Sequence, residues 1–497
     1  MMLNYVAQAL SKPIVLLLLG AVTLLYYWYK RPSRFPPGPR GIPVVGVLPF
    51  ASAGAEKAAL KWSKEYGPIM SMRMASTDWV VLNDYDSMRK AFVEQSTKFS
   101  GRPLIPLLNQ YNKGLGLGSV DYGDFFKVQK SFGIKIMRGS GLEGDSIEDR
   151  IVEESDHLVD AVQAQNEKVF VPQVALRKAV INVICGVTFG KRFDYDDESF
   201  KQLLKAVIDT SFLHSFPSLA VRLMGLAPSL MGIPPFSWVN SRLLEKYRIL
   251  NEIIEKIVDS EKEAKGGGSA MGFVGAYFKQ LEAGAPHFNK EQLLQYTREL
   301  FNAGMENTAG TLAWGLLCLI HFPQTQRKLR EEINAVVGPK DKIDLSLKAK
   351  LPYTNAFIQE LTRFRSMTPF TVPHKTNEDA VIDSYKVPEG YTVLGNVWGV
   401  HNDPDYWNEP EKFDPERFID NRGRFVKSDH VIPFGMGPRE CLGKPVAEMV
   451  VFIMLVAMVR RFEFFPDPQE AELPPDDAGA QGAFFIPFPY ELVAIEI

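Results

Sequence analysis

Between Asn289 and Pro323 apolar residues recur at the spacing of a helix face, and no proline interrupts them. Asn289 is a natural N-cap, with Gln292 three residues on. At about 1.5 Å per residue such a run makes a helix roughly 50 Å long. Ordinary globular helices are about a third of that length, so this one must cross a whole domain, with the other elements arranged around it. Its centre, Ala303-Gly-Met-Glu-Asn-Thr308, breaks the apolar pattern. Gly304 costs about 1 kcal/mol in a helix interior, and Glu306 and Asn307 place polar groups in mid-protein. A broken local rule of this kind marks a functional site. A packing glycine beside a solvated glutamate would give the same residues.

The stretch that carries chemistry is Pro433 to Met449, PFGMGPRECLGKPVAEM. Phe434, Gly435, Gly437, Arg439, Cys441 and Gly443 form F-G-x-G-x-R-x-C-x-G, six fixed residues that chance does not supply. The glycines allow a tight loop whose backbone N–H groups face a sulfur. The apolar run after Gly443 starts a helix with its positive end toward Cys441. Both effects stabilise a thiolate, and Arg439 can meet an acidic group on the same ligand. The other cysteines, Cys185 and Cys318, sit in apolar runs and read as core thiols. Three scattered cysteines form neither a disulfide framework nor a tetrahedral zinc site. With 56 basic and 59 acidic side chains the net charge is −3, which removes the electrostatic case for nucleic acid.

Pro13 to Tyr29 (PIVLLLLGAVTLLYYWY) is free of charge and reads as a membrane anchor. Aromatic residues close it, and Lys30, Arg31, Arg34 and Arg40 follow against Lys12 before, which places the bulk of the chain in the cytosol and the N-terminus in the lumen. The expected organisation is an anchor (1–30), a proline-stiffened hinge around FPPGPRGIP (31–46) and a catalytic body (47–497). The body should be mainly α with a smaller β region that includes Trp79 to Leu82. Lys265 to Ser269 (KGGGS) reads as a surface loop. Gly114-Leu-Gly-Leu-Gly118 lacks the strand, helix and acidic residue of a dinucleotide site. Phe212 to Trp238 is apolar but broken by proline and glycine, and reads as a membrane-dipping segment or as core.

These motifs resemble the cytochrome P450 family, the haem-thiolate monooxygenases, over essentially the whole chain. Glu360 and Arg363 match its E-x-x-R, Pro415-Glu-Arg-Phe418 its P-E-R-F, AGMENT its A-G-x-[D/E]-T-[T/S], and FPPGPRGIP the hinge of microsomal members. Ser100-Gly-Arg-Pro103, Ser146-Ile-Glu-Asp-Arg-Ile151 and Val372-Pro-His374 look like the animal microsomal branch that handles drugs and steroids. The resemblance implies a triangular, α-rich prism around a long central helix, preceded by a transmembrane helix. It makes Cys441 the axial ligand of haem b. Arg439, His374 and Lys130 would hold haem propionates, with Phe434 and Gly435 in the haem loop. Gly304, Glu306, Asn307 and Thr308 would serve oxygen activation, with Gly304 leaving room above the iron and Glu306 feeding protons. Phe301, Ala303, Phe370, Thr371, Val372, Phe484 and Phe485 would face substrate, core packing being the alternative for each.

The resemblance further implies NADPH as electron source through a separate membrane-bound reductase, cytochrome b5 as an additional partner, a lipophilic substrate, and a single-pass endoplasmic reticulum location. Two departures stand out. Asn307 replaces the threonine after the acid, and Thr308 lies about 100° further round the helix. Phe126 and Lys130 replace the Trp and Arg of a W-x-x-x-R helix, which removes an indole donor and a bidentate fork. The first keeps open a haem-thiolate isomerase or dehydratase acting on a hydroperoxide; the altered motifs together leave a non-catalytic haem protein as a third reading.

Overall fold

The proline-free run forms one helix of 32 residues, Lys290–His321, whose first turn is capped by Asn289 accepting the Gln292 N–H at 2.7 Å. In this computed structural model the described residues are 13–497 without 44, 52–53, 76, 140–145, 215–218, 264–271, 339–340, 470–474, 476, 478 and 481–483. The KGGGS segment and the first twelve residues of the expected anchor therefore lie outside them. In chain order the helices that position the site are α1 (Pro13–Tyr29), α2 (Asp124–Met137), α3 (Pro172–Phe189), α4 (Lys290–His321), α5 (Pro352–Phe364) and α6 (Lys444–Arg461).

Helix α4 is buried along most of its length, as a central rod must be. Its C-terminal half joins a core with α3, α5 and α6, and its N-terminal half joins a second core through Leu293, Tyr296, Phe301 and Met305. Gly315 sets the closest packing: a Cβ there would meet Leu361 of α5 at 3.2 Å and Leu455 of α6 at 4.0 Å. Helix α6 is buried on every side from Val450 to Val459, so the segment carrying the cysteine loop is anchored in the core.

The smaller β region is a four-stranded sheet. Strands β1 (Ile69–Met74) and β2 (Thr77–Leu82) form an antiparallel hairpin, β4 (Thr392–Gly395) runs parallel to β2, and β3 (His374–Lys375) closes the order β1-β2-β4-β3. The Trp79–Leu82 expectation falls inside β2. The glycine-rich Gly114–Gly118 loop turns its N–H groups inward: Leu117 and Gly118 donate to Glu299 Oε2 at 2.6 and 3.0 Å, and Gly116 to Gln292 at 2.8 Å. Its donors are spent on the protein's own side chains, in line with the absence of a dinucleotide pattern.

No helix among the described residues is long and apolar enough to cross a membrane. At 17 residues α1 measures about 26 Å, against a hydrocarbon core of about 30 Å. The spanning helix expected from the sequence is thus not met by the described part of the anchor.

The E-x-x-R and P-E-R-F residues form one buried network. Arg363 grips Glu360 through Nε at 2.6 Å and Nη2 at 2.7 Å, and Arg417 Nε reaches the same carboxylate at 3.0 Å. Arg363 also donates to the carbonyls of His401 and Pro410. The His401 ring, kept neutral by burial and by Arg363 with its pKa lowered to about 3, accepts the Ile432 N–H at 2.8 Å. The Ile432 carbonyl in turn accepts the Gly435 N–H at 3.0 Å. A line of hydrogen bonds thus runs from α5 into the cysteine loop. Replacing Glu360 by Gln leaves the buried Arg363 guanidinium without an anion and is expected to cost about 3–5 kcal/mol in denaturant unfolding. Arg417→Ala, at a partly exposed site, should cost distinctly less; equal losses would contradict the network.

Candidate functional site

The cysteine loop depends on two left-handed glycines, Gly435 (φ 70) and Gly437 (φ 72). At Gly437 the close approach of chain forbids any side chain, because a Cβ would fall 1.9 Å from the Phe92 carbonyl oxygen. A short turn follows at Gly437–Arg439, and the Cys441 N–H donates to the Phe434 carbonyl at 2.9 Å. The Cys441 side chain keeps accessible surface, while the protein packed around its other sides pushes the thiol up. The N–H groups of Gly443 and Lys444 and the Lys130 ammonium pull the other way. Burial wins between these opposed effects, so the bare sulfur favours the thiol; a cation on its open side would favour the thiolate, and soft sulfur donors suit iron.

Positive charge collects nearby. Arg439 is held by three backbone carbonyls, Ser100 and Val120 at 2.8 Å and Leu117 at 3.3 Å. Arg102 is held likewise by Gly118, Val372 and Pro373 at 2.9, 3.1 and 2.8 Å. Neither guanidinium forms an ion pair with a carboxylate among the described residues. Burial, and in second place Arg439, lowers Arg102 to about 9; burial lowers Arg439 to about 10. Two cations, one buried and one half-buried, whose hydrogen bonds go to backbone carbonyls fit a ligand that brings its own carboxylates, as haem does with its propionates.

Arg102 was not among the residues the sequence singled out as binding. Its signal was there: a cation between glycine and proline, next to an apolar stretch. His374 is buried against Phe92, ring centroids 4.0 Å apart, with Nδ1 bound to the Phe99 carbonyl at 2.7 Å. Burial, then Arg102, push its pKa well below the usual imidazole value. With Nδ1–H donating to Phe99, the neutral ring offers a lone pair at Nε2, so the carboxylate donors at this corner are Arg102 and Arg439.

The altered pair on α2 has new partners. Phe126 lies flat beneath the Arg439 guanidinium, 3.7 Å from its ring centroid. Lys130 donates to the carbonyls of Pro438 and, at 2.9 Å, Glu440. Its ammonium is therefore turned to the backbone of the cysteine loop. The helix can sit this close because Gly133, one turn on, faces Leu442 of the loop; a Cβ there would approach Leu442 to 2.9 Å.

The centre of α4 divides its residues sharply. Ala303 is exposed and Asn307, four residues on, half-buried; they share the open face. Asn307 Nδ2 donates to the Ala303 carbonyl at 2.8 Å, and its Oδ1 has no partner among the described residues. Glu306 points elsewhere: it is buried and paired with Arg177 of α3, both contacts at 3.1 Å. Gly304 allows α3 close, since a Cβ would meet Ile184 Cδ1 at 2.8 Å, so its smallness serves helix packing. Thr308 is buried. Of the four residues expected at the reaction centre, the fold keeps Asn307 on the open face.

The expected substrate-facing residues also separate. Phe301 is wholly buried and stacks on Phe189 at 5.6 Å, which makes it core. Phe485 stacks on Trp314 at 5.0 Å, and its carbonyl accepts the indole N–H at 2.9 Å. Thr371 is tied to Gly395 through both its backbone N–H and its hydroxyl, each at 2.9 Å. Phe370 bridges to Asn396 and packs on the sheet. Phe484 is half-buried, while Val372 is 58% exposed and, with Ala303, is the most open of the set.

Residues 36–493 match the family described as Cytochrome P450. The chain is 33% identical to cytochrome P450 2J3 of Rattus norvegicus over 466 residues, 92% of this chain and 91% of that protein. It is 31% identical to cytochrome P450 2U1 of Bos taurus over 510 residues, covering 96% and 93%. To cytochrome P450 2F2 of Rattus norvegicus it is 32% identical over 493 residues, covering 98% and 99%.

Lys130→Met removes both side-chain donors from the Pro438 and Glu440 carbonyls and is expected to cost about 1–3 kcal/mol. Amide hydrogen exchange across residues 433–443 should quicken in that variant and stay near wild type in Lys130→Arg. Unchanged exchange in Lys130→Met would show that the ammonium does not hold the loop.

Proposed function

Because the chain belongs to the cytochrome P450 family, we infer that Cys441 is the thiolate ligand of its haem b and that Arg102 and Arg439 hold the propionates. The observation that carries this reading is the pairing of an accessible cysteine on a glycine loop with two carbonyl-held arginines, Arg102 buried and Arg439 half-buried, that form no ion pair among the described residues. As a cytochrome P450 monooxygenase the protein uses the haem, when bound, to activate O2 and insert one oxygen atom into its substrate. Lys130, Phe126 and Gly437 then hold the loop and Arg439 in register, and the hydrogen bond from Cys441 N–H to Phe434 fixes the sulfur's direction.

On the opposite side Ala303 leaves space, and Asn307 Oδ1 can accept an O–H from water or substrate. An amide does not exchange a proton as readily as a hydroxyl, so Asn307 orients rather than delivers. The proton source in this reading is Glu306, reached from solvent past Arg177, whose side chain is 26% exposed. Substrates are lipophilic small molecules of steroid, fatty-acid or xenobiotic type, and electrons come from NADPH through a separate reductase, with cytochrome b5 as a further partner.

The protein is held to the endoplasmic reticulum by its N-terminal segment, with the catalytic body in the cytosol. Exposed Leu17, Leu19, Val22 and Leu25 on α1 support this, as do exposed Ile233 and Trp238 at the end of the Phe212–Trp238 segment. Residues 215–218 of that segment lie outside the described ones.

Replacing Cys441 by Ser is expected to abolish the thiolate-type spectrum of the reduced carbon-monoxide complex; a wild-type spectrum in that variant would refute the ligation. Asn307→Thr should raise the share of reducing equivalents recovered as oxidised product at the expense of hydrogen peroxide, measured with a reductase and any accepted lipophilic substrate. An unchanged ratio would remove Asn307 from the reaction centre.

A further inference from the structure

Where α1 meets the catalytic body, two arginines share one carboxylate and a third stands beside them. Asp78 accepts from Arg31 Nη2 at 3.0 Å and from Arg73 Nε and Nη2 at 2.9 and 2.7 Å. The side chains of Arg31, Arg73 and Asp78 are only 8, 8 and 6% exposed. Arg40 stands beside them without an acidic partner among the described residues, and its pKa is lowered first by burial, then by Arg31. The group therefore holds three positive charges against one negative charge. Glu65, the next acid in the neighbourhood, is exposed and bound to Tyr66.

A second observation points to a ligand. Three donor atoms closed off from solvent have no acceptor: Trp28 Nε1, Arg31 Nε and Arg40 Nη1. They belong to one cluster, because the Trp28 ring lies 4.8 Å from the Arg73 guanidinium and the Tyr29 ring 5.7 Å from that of Arg40. Buried donors beside uncompensated positive charge are costly unless an anion completes them. An oxyanion offsets this charge, and its acceptor oxygens are what these donors lack.

We propose that Trp28, Arg31 and Arg40 form a binding site for the phosphate of an anionic phospholipid at the base of α1. Free phosphate carries the same acceptor chemistry, but the position favours a lipid. The cluster begins where α1 ends, and Leu17, Leu19, Val22 and Leu25 on that helix expose an apolar surface along which acyl chains can lie. This assignment rests on the membrane-anchor reading above. A headgroup seated here would brace the proline hinge, whose Gly38 carbonyl already accepts from Arg31 Nη1 at 3.0 Å, and would set how the catalytic body stands on the bilayer.

The test uses the full-length, haem-loaded enzyme in nanodiscs of phosphatidylcholine containing phosphatidic acid, with retained lipid identified by native mass spectrometry after release. Wild type should keep phosphatidic acid over phosphatidylcholine by about tenfold or more, the worth of one charge-assisted hydrogen bond. Arg40→Gln and Trp28→Phe, which leave the Asp78 pairs intact, should each lose most of that preference while the carbon-monoxide spectrum stays unchanged. Equal retention of the two lipids, or undiminished preference in Arg40→Gln, overturns the site. Millimolar inorganic phosphate that displaces phosphatidic acid completely assigns the cluster to a free anion and overturns the lipid proposal. Alkaline carbonate extraction reports on the anchor separately. If the protein is released by carbonate, the anchor reading fails, whereas Arg40-dependent binding of soluble dihexanoyl phosphatidic acid would still establish the cluster.

Discussion

Glu360 and Arg363 are wholly shielded from solvent, and a buried ion pair survives only where its remaining donors and acceptors are also met. Here they are met by Arg417, by the Asp414 N–H and by carbonyls at His401, Pro410 and Lys412. The pair thereby gathers α5, the 401–418 stretch and, through the neutral His401 ring, the start of the cysteine loop. None of these residues touches a reactant. The sulfur nevertheless depends on them, because a loop with two left-handed glycines has little rigidity of its own and must be pinned from outside.

The same loop is held from its other side by α2, where this chain departs from its family's usual residues. An arginine at position 130 would present a planar fork; the shorter reach and single ammonium of Lys130 instead fit two converging backbone carbonyls. Phe126 gives up an indole donor and gains a flat face under Arg439. The two changes compensate each other: fewer donors point toward the ligand, while the remaining donor, Arg439, and the loop itself are held more firmly. In the proposed haem site Arg102 supplies the second cation, a residue far away in sequence.

Much of this was legible in the residues. The long helix and its Asn289 cap, the strand at Trp79–Leu82 and the turn around Cys441 follow from local rules of capping, periodicity and glycine conformation, and such rules act over a few residues. What spacing left open lies on the central helix. Spacing puts Gly304, Glu306, Asn307 and Thr308 within two turns, but it does not say which side faces α3. Ile184 and Arg177 decide that: one occupies the space beside Gly304, the other captures Glu306, and Asn307 is left on the open face. Phe301 went into the core for the same reason, since Phe189 of α3 was waiting for it.

By itself the sequence determined the identity of the ligand sulfur and the length of the central helix, because each is written in contiguous or regularly spaced residues. The tertiary structure alone decided which cations form no ion pair among the described residues, at Arg102 and Arg439 and again at Arg40. Charge compensation is a property of neighbours in space. Arg102 and Arg439 are 337 positions apart in the chain, and only folding shows that neither has a carboxylate to meet.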